Sequence, residues 1–215
     1  MACGEHNRLK NDSQEKERES CRLSVGGYGM REPLHQRGQG RVWTLNEIVN
    51  HYILKHRNGA REEMRDFENE RSPSAAIRRA ALCVTKNSKR HAHQRRIPKA
   101  LLEQVEVRLQ VVNRNLAKAA DFATLHKIVD DEIGQIKGIG SLTVYDIAHR
   151  IGAYYRKAPE YVYLHAGTRI GATVFKIKGD SFDPTILPKE FSCLSPAEIE
   201  DCLCIYKNEL RGEPY

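Results

Sequence analysis

The chain has 215 residues, 40% hydrophobic and 29% charged, with a formal net charge of +7. This length supports one domain with a real core, and no apolar run approaches the ~18 residues that a membrane span needs. The first thirty residues are polar, so no secretory signal is expected and a cytoplasmic location follows.

The positive charge is concentrated. From Ser72 to Leu102 there is no acidic residue, while Arg78, Arg79, Lys86, Lys89, Arg90, Arg95, Arg96 and Lys99 all fall there, leaving the rest of the chain slightly acidic. Charge gathered in one segment attracts polyanions better than the same charge spread evenly, although a solvated basic face has the same composition. The cysteines at 3, 21, 83, 193, 202 and 204 form no CxxC pair, which fits reduced, mostly buried thiols.

In chain order, residues 1–41 mix charges of both signs with glycine and few apolar residues, a composition that predicts a flexible polar tail. An all-helical domain is expected over 42–212. Thr44 and Glu47 have capping-box spacing, and Leu45, Ile48, Val49, Tyr52 and Ile53 share one face of the following helix, which should end near Asn58-Gly59. Residues 60–71 are compatible with an exposed helix or with a linker. After Ser72-Pro73, a short alanine-rich helix should turn Ile77, Ala81 and Leu82 inward and both arginines outward.

The basic run from Thr85 to Lys99 lacks helical periodicity and reads as a surface loop. Its His91 and His93 have no cysteine or acidic neighbour in sequence, so they fit phosphate-facing or solvated roles better than metal ligation. A helix from Pro98 to about Ala117 follows, with Leu102, Val105, Leu109 and Val112 inward. Asp121 is placed to cap the next helix, which carries Phe122, Leu125, Ile128 and Val129. Further on, a helix is expected from about Ala166, a loop over 178–190, and a final helix begun by Ser195-Pro196-Ala197-Glu198 and ending near Gly212. Strand patterns are scarce, so the expected fold class is all-α, a single helical domain.

Between these elements lies Ile133 to Gly152, where two apolar helical segments flank Gly138-Ile139-Gly140. Glycine on both sides of Ile139 permits positive φ and close approach of a ligand, and the second helix starts with amides that have no intrahelical acceptor. Such an end attracts phosphate.

The segment Ile136 to Thr143 resembles the helix-hairpin-helix motif of DNA-binding proteins, over about twenty residues of 215. The resemblance implies that Lys137, Gly138, Ile139, Gly140, Ser141 and Thr143 hold a duplex phosphate without reading sequence. It also implies a monovalent cation on the carbonyls of Ile136 and Ile139. With Lys86, Lys89, Arg90, Arg95, Arg96 and Lys99 as further phosphate contacts, the expected partner is double-stranded DNA.

The wider region resembles the helix-hairpin-helix DNA glycosylases, whose bifunctional members carry a lysine two positions after the second glycine and an aspartate some twenty residues on. Here those positions hold Leu142 and Tyr163. Leucine forms no Schiff base and tyrosine does not stabilise a sugar cation as a carboxylate does, so catalysis would require another acid, with Asp146 and Glu160 as candidates. Cys193, Cys202 and Cys204 do not make a four-cysteine iron–sulfur site. The chain also resembles a set of bacterial proteins sharing its segments Lys89 to Arg95, Ile136 to Gly140 and Leu194 to Asp201, a resemblance that implies no activity. Tyr163, His165, Thr168 and Arg169 form a compact group suited to a phosphate, a flipped base or simple helix capping. The leading expectation is sequence-nonspecific DNA binding, in repair or maintenance. A glycosylase-type enzyme is the alternative, and a helical adaptor for RNA or an acidic protein a third.

Overall fold

The computed structural model describes residues 42–212, so the expected tail over 1–41, with Cys3 and Cys21, lies outside the described residues. The described chain is mostly helical, with ten α-helices and one small two-stranded sheet. None of its helices is long and apolar enough to cross a membrane.

Helix α1 (Leu45–Lys55) opens with the expected capping box, in which Thr44 accepts from the Glu47 amide and Glu47 from the Thr44 amide. The chain does not stop at Asn58-Gly59. It bends at His56 and continues as α2 (Arg57–Glu68), because Asn58 and Gly59 fall in the first turn of a helix whose far end buries Phe67. Helix α3 (Pro73–Ala81) has Ser72 as N-cap and buries Ala76, Ile77, Ala80 and Ala81. Arg79 does not face solvent as expected: its guanidinium lies 3.7 Å over the Phe67 ring and pairs with Glu70.

Helix α4 (Lys99–Val111) breaks at Val112 and resumes as α5 (Asn113–Lys118), so the expected single helix is two. Helix α6 (Phe122–Ile133) is capped by Asp121, which accepts from Thr124 at 2.7 Å. Helix α7 (Ser141–Tyr154) follows the glycine turn. Strand β1 (Val162–Tyr163) pairs antiparallel with β2 (Ser181–Phe182), matching Val162 to Phe182 and Tyr163 to Ser181. Two-residue strands carry no period, so the sequence does not announce them. Between them comes α8 (Ala166–Ala172), and after them α9 (Pro196–Ile205), with the full Ser195/Glu198 capping box, and α10 (Lys207–Leu210).

Two separate apolar clusters form the core. The first gathers Phe67, Ile77, Leu102, Leu109, Leu125 and Ile147 with other residues of α2 to α7. The second gathers Ile48, Tyr52, Val162, Phe182, Ile199 and Leu203 from α1, the sheet, α8 and α9. Thus the first helix of the described chain packs with the last ones. Within the second cluster α8 and α9 approach closely: a Cβ on Gly171 would lie 3.0 Å from the Leu203 carbonyl carbon, and one on Gly167 2.5 Å from Cys204 Sγ.

These glycines yield a paired prediction. Gly171→Ala forces α8 off α9 and lowers stability by about 1–3 kcal/mol. Gly59→Ala, inside α2 with nothing near its added methyl, raises it by about 0.5–1 kcal/mol. Urea denaturation of the two variants beside the parent reads both.

Candidate functional site: the hairpin, the basic segment and the polar seam

The turn between α6 and α7 is closed by the Ile136 carbonyl, which accepts from the Ile139 amide at 2.9 Å. Gly138 has φ +98°, in the left-handed region, and a Cβ there would also meet Leu101 at 3.1 Å. Gly140 is the N-cap of α7 and offers no side chain, so the amides of Ser141 and Leu142 have no acceptor among the described residues. Lys137, Gly138, Gly140 and Ser141 are exposed, whereas Ile139 and Thr143 are buried. Thr143 bonds the Gly140 carbonyl through its amide, so it supports the turn rather than facing a ligand.

The contact of Gly138 with Leu101 puts the hairpin beside the start of α4, just after the basic segment. That segment is a small closed structure. Val84 and Arg90 form a β-bridge, Thr85 accepts from Lys89, and His91 donates its amide to Cys83 at 2.9 Å. Its cations divide into two sets. Arg90 holds the segment together by donating to the carbonyls of Ile97 and Gln94, Lys86 pairs with Asp66 at 3.2 Å, and Lys99 pairs with Glu103 at 3.4 Å. Lys89, Arg95, Arg96 and Lys137 are exposed and make no ion pair among the described residues.

Beneath the basic segment lies a polar seam between the two apolar clusters. Its near wall is the face of α7 that carries Tyr145, Asp146, His149 and Arg150. Gln94, fully buried, donates its amide to Asp146. Arg150 pairs with Glu63 of α2 at 2.8 Å. The far wall is α8 and α9, where Thr168 donates to Glu200 at 2.5 Å and Tyr52 donates to Asp201 at 3.1 Å. Arg57 and Arg61 of α2 reach across to Glu198 at 3.1 and 2.7 Å.

Burial moves the acids of this seam upward. It raises Asp146 above the usual carboxylate range, with Arg150, Gln94 and His93 opposing the shift. It raises Asp201 likewise, against the Tyr52 hydrogen bond. Glu200 is pushed up to about 8, by burial first and then by the charges of Asp201 and Asp146. The histidines move the other way, since burial favours the neutral ring: His91, His149 and His165 each fall to about 4. Several buried polar atoms find no partner here, among them Gln94 Oε1, the Tyr145 hydroxyl and both ring nitrogens of His165.

The segment 163–169 joins the seam through its rings. His165 lies 4.7 Å from Tyr145, and Tyr163 lies 4.7 Å from His126 and 5.4 Å from Tyr145. Arg169 turns away to the loop, donating to the carbonyls of Leu164 and Gly179 and pairing with Asp180, so it does not share a pocket with His165. Glu160 is exposed and joins none of these groups. Among the described residues no group of three or more His, Cys, Asp and Glu is placed to hold a metal ion, and Cys83, Cys202 and Cys204 are free thiols. Sequence reasoning missed Gln94, Tyr145, Glu200 and Asp201. The available signal was Tyr145-Asp146 and His149-Arg150, polar pairs four residues apart inside an otherwise apolar helix.

No protein-family model, curated protein or solved structure matches the chain.

The histidines set an acid limit. A folded value of about 4, below the ordinary 6.5, means the folded state prefers the neutral rings. Their contribution is complete above pH 6.5 and is lost as the pH falls from 6.5 through 4. The seam's acids, raised by burial, contribute with the opposite sign over part of this window, so the test is a difference: as the pH falls from 6.5 to 4 the urea midpoint of His149→Gln should rise relative to that of the parent.

Proposed function

We propose that the protein binds double-stranded DNA through its phosphate backbone, without sequence preference, using the hairpin before α7 and the adjoining basic segment. The observation that carries this reading is the juxtaposition at Gly138 and Leu101. It sets the unsatisfied amides at the start of a fourteen-residue helix and the exposed Lys137 beside the first turn of α4, which follows Arg95 and Arg96 directly in sequence. Backbone amides and helix ends bind any phosphate and distinguish no base. In the helix-hairpin-helix reading, a monovalent cation sits on the carbonyls of Ile136 and Ile139, the first shared with the turn's own hydrogen bond. The resemblance to helix-hairpin-helix proteins, with repair or maintenance of DNA as the setting, agrees with this reading.

A second reading has one observation in its favour. Asp146 is a buried carboxyl held above its ordinary range, next to the open valences of Gln94 and Tyr145, an environment suited to a general acid in a glycosylase-type reaction on an extruded base. Incubation with oligonucleotides carrying varied lesions should then yield abasic sites with the parent and with Glu160→Gln but not with Asp146→Asn. No abasic product from any lesion removes this reading.

The leading reading is tested by affinity for several unrelated duplexes over a salt series. The logarithm of affinity should fall linearly with the logarithm of salt concentration, by about 0.9 for each phosphate neutralised. Lys137→Ala, Arg95→Ala and Arg96→Ala should each weaken every duplex alike and flatten the slope by about 1. Arg90→Ala should instead lower folding stability. Negligible binding at low salt, or a preference for single-stranded RNA, overturns the proposal.

A further inference from the structure

We propose that Glu200 is a proton-dependent latch on the seam between the two apolar clusters, closed while its carboxyl carries a proton and loosened when that proton leaves. The proposal does not depend on DNA binding. It rests first on position: Glu200 lies in α9, 7% exposed, with its carboxyl held by the Thr168 hydroxyl of α8 and directed to the same interior as Asp146 of α7. Thr168 of α8 donates to it, and the titratable groups that interact with its charge are Tyr145 and Asp146 of α7 and Asp201 and Cys204 of α9 itself. None of these is a cation. The one guanidinium named beside these acids acts on a neighbour instead, Arg150 on Asp146.

An ionised Glu200 in this interior would therefore have no counter-ion among the described residues. Buried charge without a partner is costly, and water supplies the missing solvation most cheaply by entering the seam. The Tyr145 hydroxyl, 2% exposed, and Gln94 Oε1, fully buried, have no partner in the closed arrangement, so incoming water would also satisfy them. By contrast, the seam's other long-range ties, Arg57 and Arg61 to Glu198 and Arg150 to Glu63, pair opposite charges and need no proton. Loosening is thus expected at the Glu200 and Asp146 part of the seam. Because Gln94 is anchored on Asp146, the basic segment above it should loosen too.

The direction follows from the two protonation states. A solvated Glu200 ionises near its ordinary value of 4.5, and the closed seam moves this to about 8. Closure is fully favoured below 4.5 and weakens as the pH rises through 8.

Amide hydrogen exchange of the whole chain at pH 6, 7, 8 and 9, with intrinsic rates divided out, tests the latch. Protection of 166–172, 196–205 and 86–97 should fall by about tenfold or more between pH 6 and 9, while α4 and α6 keep theirs. Glu200→Gln, which stays uncharged, should show no such fall. Two further variants move the transition in opposite directions. Thr168→Val removes a donor that favours the ionised carboxylate and should shift the loss of protection to higher pH, whereas Asp146→Asn removes a neighbouring charge and should shift it lower. Uniform protection of the parent from pH 6 to 9 overturns the proposal. So does a Glu200→Gln profile that follows the parent, or Thr168→Val and Asp146→Asn profiles displaced the same way or not at all.

Discussion

The hydrogen bond between Gln94 and Asp146 is the constraint on which the arrangement of the molecule turns. Asp146 is a carboxyl placed on an interior face of α7, and such a group is tolerated only when donors meet it. Gln94 meets it from the basic segment, and Arg150, one helical turn further along α7, contributes its positive charge while pairing with Glu63. Loss of either partner would leave a buried charge, which costs more than the intact pair contributes. The polar layer therefore fixes how the two apolar clusters face each other more than it adds to their stability. The clusters themselves supply the burial, from α2 to α7 on one side and from α1 with the C-terminal helices on the other.

Through the same bond, α7 organises the candidate functional surface. Its N-terminus ends at the hairpin, its first turns anchor the basic segment through Asp146, and Tyr145 meets the rings of Tyr163 and His165. A single helix thus connects a phosphate-seeking end to a buried group of acids and neutral histidines. In the proposed reading the outer part acts through charge and backbone donors, while the inner part holds groups whose protonation has been moved by burial. Those are different chemistries at different depths, and under the proposals above they take different ligands: an extended polyanion outside, protons and water inside.

The helices whose boundaries depend on local chemistry were legible in the sequence. Thr44 with Glu47, Asp121, and Ser195 with Pro196 and Glu198 each mark a helix start by a side chain that satisfies a specific amide, and each does so in the structure. Breaks without such a mark were not legible. The first helix ends at His56, shortly before the Asn58-Gly59 stop that the sequence suggests, but the chain resumes as helix at once, and the break at Val112, in a Val-Val-Asn run, has no capping side chain to announce it. The basic segment was recognised by composition, but composition does not tell Arg90, which ties its own loop, from Arg95 and Arg96, which do not. The seam was hidden for a similar reason. Glu200 and Asp201 look like ordinary solvent-facing acids on an amphipathic helix until α8, opened by Gly167 and Gly171, is seen to lie against that face.

The small hairpin at Cys83 to His91 bears on how the surface charges work. Cys83 and Ser88 take left-handed backbone conformations, and the bridge from Val84 to Arg90 and the bond from His91 to Cys83 close the loop upon itself. A basic tail on a loose chain must be immobilised when it meets a polyanion, and that loss of freedom subtracts from the electrostatic gain. Here the backbone that carries Lys89, Arg95 and Arg96 is already fixed by bonds of its own. If the proposed partner binds here, the attraction is preorganised, and only the side-chain rotamers remain to be ordered.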